Sequence, residues 1–372
     1  MAEGTEVQAS PDLATASLGR LQRLPLRRLI QIFLAILIIA FVAIGSYKTL
    51  TLPSEDRYSP STWKAFVISG VAQGGIYALI ALGYTLVYGV LRMINFAHGE
   101  VFMSGCFVSF FFAQAYAESG FLNRDPFVAL VIIFVIAMLA SCLVAMLLER
   151  VAYRPLRTAP RLVPLITAVG ASLFLQNTAL GFFGPETRPY PVPDILGGDK
   201  NWTILGATLQ RIQVVVIMTA ILAVLGLTVF IARTKTGKSI RAVAEDREIA
   251  SLMGIDVDRT ILITFALGGL LAGIAGVQFG MTFGQVNFHI GFSLGIAAFT
   301  ASVLGGIGSI RGAALGGLIL GLLYSVGPAL LFTGFHIPAP FQLQDVITFS
   351  VLVLVLIFRP GGLLGSGEAE KV

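Results

Sequence analysis

Apolar residues are gathered into ten runs along the chain, and polar segments separate them. A transmembrane α-helix needs about 20 predominantly apolar residues to cross the hydrocarbon core. The pattern therefore predicts an all-α fold, a polytopic transmembrane helix bundle of about ten spans. One run, 291–306, is short for a full crossing and predicts a half-span or re-entrant helix. The runs cover residues 29–47, 66–90, 94–117, 126–149, 163–183, 211–232, 260–284, 291–306, 312–333 and 343–358.

The first run, 29–47, has two interpretations. Basic residues precede it and a small-x-small triplet, Ala43-Ile44-Gly45, lies near its end, as in a secretory signal peptide. The run is longer than the roughly 7–15 apolar residues that a signal peptide carries. We therefore favour a retained N-terminal transmembrane helix over a cleaved leader.

The composition leaves little room for a soluble domain. Charged residues make up 12% of the 372 residues and hydrophobic residues 56%, whereas a soluble domain carries about 25% charged residues. This argues against a two-domain enzyme, a nucleic-acid-binding module and a secreted disulfide scaffold. Cys106 and Cys142 both fall inside apolar runs, which favours small core side chains over a disulfide or a metal pair.

The positive charges predict the topology. If ten spans alternate from a cytoplasmic N-terminus, 18 of the 25 Lys and Arg residues fall on the cytoplasmic side. The positive-inside rule then predicts that both termini are cytoplasmic. The predicted divisions are a basic cytoplasmic tail (1–28), a transmembrane helix (29–47), a periplasmic linker (48–62), a main membrane domain (63–360) and a cytoplasmic tail (361–372).

Glycine is frequent inside the predicted spans, with 41 glycines in the chain. Small residues one helical turn apart let helix backbones approach closely in lipid, where the hydrophobic effect does not drive association. The pattern predicts a tightly packed bundle without identifying a substrate. Pairs with this spacing include Gly70/Gly74, Gly269/Gly273, Gly276/Gly280, Gly312/Gly316 and Gly317/Gly321.

A short internal similarity links two span beginnings. Ile94-Asn95-Phe96-Ala97-His98-Gly99 is similar to Val286-Asn287-Phe288-His289-Ile290-Gly291. In the predicted topology these segments enter the membrane from opposite sides, which predicts an inverted repeat, a common transporter design. Two interpretations stay open for Asn95 and Asn287: helix caps only, or caps that also line a permeation path. The candidate path residues are Asn95, Phe96, His98, Glu100, Asn287, Phe288 and His289.

Intramembrane ionisable groups are few, and each lies near a predicted membrane edge. His98 and Glu100 begin the third span and Asp345 begins the last. Charges inside a bilayer are costly and often functional. A charge at the membrane interface or a polar pair within the bundle would also explain these positions. The predicted spans contain no regular row of acidic residues, so the sequence gives little support for a proton relay.

The polar segment 233–259 is the longest soluble stretch within the main domain. Gly237-Lys238-Ser239 resembles the end of a phosphate-binding loop, but Ala232 stands where that loop requires glycine, so no ATPase is predicted in this chain. Residues 241–254 predict one short amphipathic helix that Gly254 closes. Such a helix is suited to docking into a groove on a soluble partner. The alternative is a solvated loop with internal ion pairs such as Arg241–Glu245.

This segment also carries a family resemblance. Glu248, Ala250 and Gly254 match the Glu-x-Ala-x-x-x-Gly pattern in the coupling loop of ATP-binding-cassette (ABC) importer permeases. Over 63–372 the chain resembles the high-affinity branched-chain amino-acid permeases of bacteria (LivH type). The matching segments are YALIALGYTLVYGVLRMINFAHGEVF (77–102), ERVAYRPLR (149–157), FLQN (174–177), RAVAEDREIASLMGI (241–255), AFTASVLGGIGSIRGAALGGLILG (298–321) and RPGGLLG (359–365).

The resemblance implies a transporter subunit of the bacterial inner membrane and not an enzyme. The implied partners are a second homologous permease, two cytoplasmic ABC ATPase subunits and a periplasmic or lipid-anchored amino-acid-binding protein. No cofactor is expected on this chain, since the partner ATPase uses the ATP. The implied coupling residues are Arg241, Glu245, Asp246, Arg247, Glu248, Ala250 and Gly254.

Substrate and class stay open at this stage. Relatives of this kind carry branched-chain or other neutral amino acids, urea or short amides, and the INFAHGE spelling (94–100) favours the amino-acid branch. A proton-coupled secondary transporter using His98 and Glu100, or a passive channel with two Asn-capped half-helices, would fit the same pattern less well. The members of this family usually begin at a position equivalent to about residue 60 of this chain, so the basic tail and the first span are additional to the family pattern.

Overall fold

The computed structural model describes residues 12–53, 57–157, 159–160, 162–197, 201–204 and 207–365. The described residues are mostly helical, and the predicted transmembrane helix bundle is confirmed. The α-helices are α1 (Asp12–Leu50), α2 (Pro60–Leu91), α3 (His98–Glu118), α4 (Phe121–Arg124), α5 (Pro126–Leu148), α6 (Leu162–Phe183), α7 (Arg211–Arg233), α8 (Lys235–Glu245), α9 (Arg247–Leu252), α10 (Val257–Phe283), α11 (Ile290–Gly305), α12 (Ile310–Leu331) and α13 (Gln344–Phe358).

Short elements join some of these helices. A π-helical turn (Glu149–Tyr153) and a 3-10 turn (Arg154–Leu156) follow α5, and two 3-10 turns (Thr333–Phe335 and Pro340–Leu343) lie between α12 and α13. The strands β1 (Arg188–Pro189) and β4 (Gln285–Val286) form one antiparallel pair, and β2 (Asn201–Ile204) and β3 (Ala207–Gln210) form another.

Nine helical segments in the described part of the chain are long and apolar enough to cross a membrane. The remaining run, 291–306, forms α11, whose 16 residues are fewer than in any of these nine segments, as the sequence predicts. The first span also differs from its prediction, because α1 begins at Asp12 and so continues through the basic segment before residue 29. The part of α1 with the composition of a span is Arg28–Leu50.

The chain divides into two compact units. The first joins α1 to residues 330–338. Within it, the Thr49 hydroxyl donates to the Leu330 carbonyl at 2.9 Å and accepts from the Gly334 N–H at 2.9 Å. The Phe41 and Phe335 rings stack with centroids 5.9 Å apart. Within Arg28–Leu50 only 6% of the most apolar stretch is buried, so this part of α1 presents apolar side chains on nearly all sides, as a lipid-exposed span does.

The second unit contains α2 to α11, most of α12, and α13. Its helices pack closely at glycine residues, as predicted. Glycine has no Cβ, so the backbone of a neighbouring helix can approach closely at that position. A Cβ at Gly74 would lie 2.8 Å from the Leu318 Cα of α12, and one at Gly269 would lie 2.8 Å from the Cys142 Cα of α5. The other predicted pairs also have a member in such a contact, on α2, α3, α11 or the Tyr190 ring.

Candidate translocation path and coupling surface

Helix α3 begins inside the bundle. The His98 ring lies against Gly83 of α2 and Gly268 of α10, and His98 is fully buried. Gly83 is eight residues before the end of α2 and Gly268 eleven residues after the start of α10. At about 1.5 Å per residue, these contacts lie roughly 12 to 17 Å from those helix ends. The residues between α2 and α3 therefore return into the bundle before the helix starts.

Helix α11 begins at the same place. Gly99, in the first turn of α3, lies against Gly291 and Gly295 of α11, where a Cβ at Gly99 would be 3.0 Å from the Gly295 Cα. Gly99 and Gly291 are equivalent positions of the two similar sequence segments. The first turns of two helices, each with backbone N–H groups that lack an intrahelical acceptor, thus meet within the bundle. The inverted repeat itself stays a prediction.

The predicted asparagine caps are wrong. The residue before α3 is Ala97, and Asn95 is instead buried, where its Oδ1 accepts from the Tyr153 hydroxyl at 2.5 Å. The cap position of α11 is His289. Asn287 lies two residues earlier, and its Oδ1 accepts from the His289 N–H at 3.0 Å. Both side chains therefore fix the turn that leads into a helix and do not cap the helix.

Glu100 is the charged residue closest to the meeting point of the two helices. It is 1% exposed, and its Oε1 accepts from the Ser172 hydroxyl of α6 at 3.2 Å. Its Oε2 has no hydrogen-bond partner among the described residues and points at Gly291, where a Cβ would be 2.7 Å from the carboxyl carbon. A buried polar atom without a partner is costly and calls for an explanation, such as a ligand or water.

A small cavity lies next to Ser172, the hydrogen-bond partner of Glu100. It has a volume of about 190 Å³, and its lining includes Tyr84, Phe96, Ser172, Phe292 and Gly295. The lining is almost entirely apolar apart from hydroxyl groups. The cavity therefore combines an apolar wall with the hydroxyl groups of Tyr84 and Ser172, as a site for a small amphiphilic molecule requires.

The remaining predicted path residues lie at the start of α11. The His289 Nδ1 is 3.1 Å from Gln176 Nε2 of α6, and the Phe288 ring packs on the His289 ring with centroids 3.9 Å apart. Ser172, Tyr84 and Gln176 were not among the residues expected from the sequence. Gln176 belongs to the FLQN segment (174–177) and Tyr84 to the segment 77–102, so the family resemblance was the available signal for both, while nothing in the local pattern indicates Ser172. The path role of all these residues stays a prediction.

The predicted single helix over 241–254 is wrong, because two helices meet at Asp246. Asp246 has extended backbone angles, and its carboxylate accepts from the Glu248 and Ile249 N–H groups at 2.8 and 3.0 Å. It is the N-cap of α9, a position that aspartate favours. The predicted apolar stripe is divided as a result. Ile240 and Val243 of α8 are buried, whereas the end of α9 is exposed.

The end of α9 is closed as predicted by Gly254. Its N–H bonds to the Ser251 carbonyl at 3.0 Å, and the Ile255 N–H bonds to the Ala250 carbonyl at 3.1 Å. These two bonds define a Schellman motif, with Gly254 in the left-handed region at φ +82°. Leu252 is 87% exposed and Met253 78% exposed. The motif therefore holds two large apolar side chains on the surface.

Two arginines join this pair of helices to the end of α2. Arg247 of α9 donates from Nε and Nη2 to the Val90 carbonyl at 2.9 and 2.5 Å. In return, Arg92, just after α2, donates from Nη2 to the Ala244 carbonyl of α8 at 2.8 Å. Carbonyl groups at helix C-termini attract cations. The side chains of Arg92 and Arg247 therefore both hold α8 and α9 against the end of α2.

Among the other predicted coupling residues, Ala250 is buried, while Arg241, Glu245, Asp246 and Glu248 are exposed. No ion pair joins Arg241 and Glu245 among the described residues. Burial, and then the charges of Arg157 and Arg92, lower the pKa of the Arg247 guanidinium. The loop is therefore packed against the bundle on one side and open on the other.

Comparison with known proteins defines the class. The model of the family "Branched-chain amino acid transport system / permease component" matches residues 66–356. Relatives include the high-affinity branched-chain amino acid transport system permease proteins BraD of Pseudomonas aeruginosa, 42% identical, and LivH of Escherichia coli, 43% identical. Each match covers 82% of this chain and 97% or 96% of the relative. A probable LivH permease of Methanocaldococcus jannaschii is 27% identical over 81% of this chain and 92% of its own.

The protein is thus a multi-pass membrane transport permease. It belongs to the family of branched-chain amino acid transport permease components, which confirms the resemblance seen in the sequence. No solved structure matches the chain. The matched region begins at residue 66, so α1 lies before it.

Proposed function

We propose that the chain is the membrane-spanning permease subunit of an ABC importer for branched-chain or other neutral amino acids. The observation that carries the proposal is the exposed apolar end of α9 on a loop bonded to α2 by Arg247 and Arg92. A surface of this kind docks a partner, and its attachment passes movement of that partner into the bundle. The partner in this proposal is a separate cytoplasmic ABC ATPase, so the chain itself hydrolyses no ATP.

The contacts form a continuous route from this surface to the cavity. Arg247 donates a hydrogen bond to the end of α2. Gly83, also in α2, contacts the ring of His98, the first residue of α3. The next residue of α3, Gly99, lies on α11. Closure of the ATPase dimer moves α8 and α9, and α2 carries the movement to the meeting point of α3 and α11. Access to the cavity then alternates between the two sides of the membrane.

The cavity suits a zwitterion with an apolar side chain. An amino acid needs an anionic or polar group for its ammonium, positive helix ends for its carboxylate and an apolar wall for its side chain. The ammonium group would meet Glu100 and Ser172, and the carboxylate would meet the first turns of α3 and α11. The apolar side chain would pack against Phe96 and Phe292. Urea or a short amide would leave the apolar wall unused, which is why we favour an amino acid.

The importer needs further subunits. We propose a second homologous permease, two ATPase subunits on the cytoplasmic side and a periplasmic or lipid-anchored binding protein, with both termini of this chain in the cytoplasm. Purification of the tagged chain in mild detergent from its native membranes, followed by mass spectrometry, tests this assembly. Recovery of an ABC ATPase and a similar permease supports it. Recovery of the chain alone, in a stable monodisperse form, contradicts it.

We expect Glu100→Gln to lower amino-acid uptake by about tenfold or more. Glutamine retains the shape and the Ser172 contact but cannot ionise to pair with the ammonium group of an amino acid, and a hydrogen bond to a charged group contributes roughly 1.5–3 kcal/mol. Uptake of labelled leucine into vesicles is the measurement, with Glu118→Gln as the control because Glu118 lies exposed at the far end of α3. Unchanged uptake in the Glu100 variant would remove this residue from the path.

We expect Gly254→Val to reduce uptake by roughly tenfold, because valine at φ +82° disrupts the motif that ends α9. The left-handed conformation costs an ordinary residue roughly 1–2 kcal/mol, and a β-branched residue more. A Cβ at Gly254 has open space around it, so sterics with neighbours play no part. Gly254→Asn is the control, since asparagine tolerates this conformation. Equal uptake in both variants would contradict the role of the motif.

A further inference from the structure

A second, larger cavity lies where α2 ends and α6 begins. Its volume is about 360 Å³, within the range of roughly 300–1,000 Å³ typical of small-ligand sites. Its lining has two distinct parts. Arg92, Arg157 and Arg247 supply a cationic part, and the apolar part includes Leu91, Leu162 and Leu165. None of these arginines belongs to the cavity beside Glu100.

The cationic part carries more positive charge than its neighbours neutralise. Arg157 pairs with Glu149 and with Asp258, and Asp258 also pairs with Arg154 at 2.5 Å. Arg92 and Arg247 donate only to backbone carbonyls, and no carboxylate of a described residue lies within 4.0 Å of either. The carboxylates of Glu149 and Asp258 thus pair with Arg154 and Arg157 only, and Arg92 and Arg247 have no ion-pair partner among the described residues.

The arginines also retain unused donor groups. The Nε of Arg157 is buried and has no hydrogen-bond partner among the described residues. Arg247 directs Nε and Nη2 at a single carbonyl oxygen. The lowered pKa of Arg247, caused by burial and by the neighbouring Arg157 and Arg92, is consistent with this crowding of positive charge. An anion among these groups would accept several charge-assisted hydrogen bonds.

The depth of the cavity and its apolar part decide what kind of anion fits. The cavity lies at the end of α2 and the beginning of α6, two helices that qualify as membrane spans. Such ends lie near the headgroup layer of a bilayer. A carboxylate or inorganic phosphate would leave the leucines of the lining without a partner. An amphiphile with an anionic phosphate head uses both parts, as basic pockets between transmembrane helices do.

We propose that this cavity binds the phosphate headgroup of an anionic phospholipid, with Arg92, Arg157 and Arg247 as the headgroup ligands. The bound lipid screens the repulsion among the three guanidinium groups at the point where α9 is attached to α2. The site thereby makes the attachment of α8 and α9 dependent on the anionic lipid content of the membrane.

Native mass spectrometry of the purified full-length protein in detergent, titrated with phosphatidylglycerol or phosphatidylcholine, tests the proposal. We expect preferential retention of phosphatidylglycerol. Each charge near an anionic headgroup contributes about 1 kcal/mol, or about fivefold in affinity. Arg92→Gln should therefore weaken retention about fivefold, and Arg92→Gln with Arg247→Gln about 25-fold. Arg150→Gln is the control, since Arg150 is exposed in the same connection and does not line the cavity.

Two further measurements keep the proposal falsifiable if a glutamine variant fails to fold. Arg92→Lys retains the positive charge, although it loses the guanidinium fork, and should therefore weaken phosphatidylglycerol retention less than Arg92→Gln does. Retention by the unsubstituted protein should also fall as the salt concentration rises. Equal retention of the two lipids, or an equal loss in the Arg150 control, would overturn the site. Displacement of the lipid by inorganic phosphate at the same concentration would instead show a small-anion site and overturn the assignment to lipid.

Discussion

Gly99→Val is expected to abolish uptake, because it separates the two helices that meet at the proposed path. A Cβ at this position would overlap the Gly291 carbonyl oxygen and lie 3.0 Å from the Gly291 carbonyl carbon and the Gly295 Cα. All three are backbone atoms, so no side chain can turn aside. Overpacking of a core costs about 1–3 kcal/mol when side chains can adjust, and the cost is greater here.

The matched control is Gly170→Val in α6, another helix that qualifies as a span, where a Cβ meets nothing within 4 Å. Both variants introduce the same β-branched residue into an apolar helix. The measurements are leucine uptake in vesicles and the elution profile of the detergent-solubilised protein. We expect Gly170→Val to retain both. A Gly99→Val protein with full uptake would show that α3 and α11 do not need this close contact.

Leu252→Asp together with Met253→Asp is expected to release the ATPase subunit while leaving the fold of the chain intact. Both side chains are largely exposed, so the chain loses little packing of its own. If they fill a pocket on the ATPase, each is a central interface residue whose loss costs roughly 2 kcal/mol or more. The two substitutions together should then weaken the complex by about three orders of magnitude.

Copurification of the ATPase with the tagged permease measures this loss. Leu252→Met with Met253→Leu is the control, because both side chains stay large and apolar. We expect the control to retain the ATPase and the aspartate variant to elute as a monodisperse protein without it. Retention of the ATPase by the aspartate variant would place the docking surface elsewhere on the chain.

The fold was largely predictable from hydrophobic periodicity and glycine spacing. Membrane helices must satisfy their own backbone hydrogen bonds, so a run of about 20 apolar residues has few alternatives. The helix break at Asp246 was missed because a charged residue in an amphipathic segment fits both the polar face of one helix and the cap of the next. Only its extended backbone and its two bonds to N–H groups distinguish the alternatives.

Part of the candidate site could be predicted from the sequence, whereas Ser172, Tyr84, Gln176 and the contacts between the residues could not. The similarity of the segments around Asn95 and Asn287 indicated both helix beginnings, yet not that Gly99 and Gly291, 192 residues apart, lie against each other. The contact of Glu100 with Ser172 joins residues 72 positions apart. Tertiary contacts of this kind leave no periodic trace in one sequence. The capping prediction failed because Asn95 bonds to Tyr153, which also lies far along the chain.

ATP-driven uptake by the reconstituted complex tests the central claim most directly. The permease, its partner permease and the ATPases are placed in vesicles with ATP trapped inside, and labelled leucine is added outside with the binding protein. We predict that leucine accumulates only when both ATP and the binding protein are present, and that the Leu252→Asp, Met253→Asp variant accumulates none. Accumulation driven by an imposed pH gradient without ATP, and unaffected by that variant, would contradict the importer.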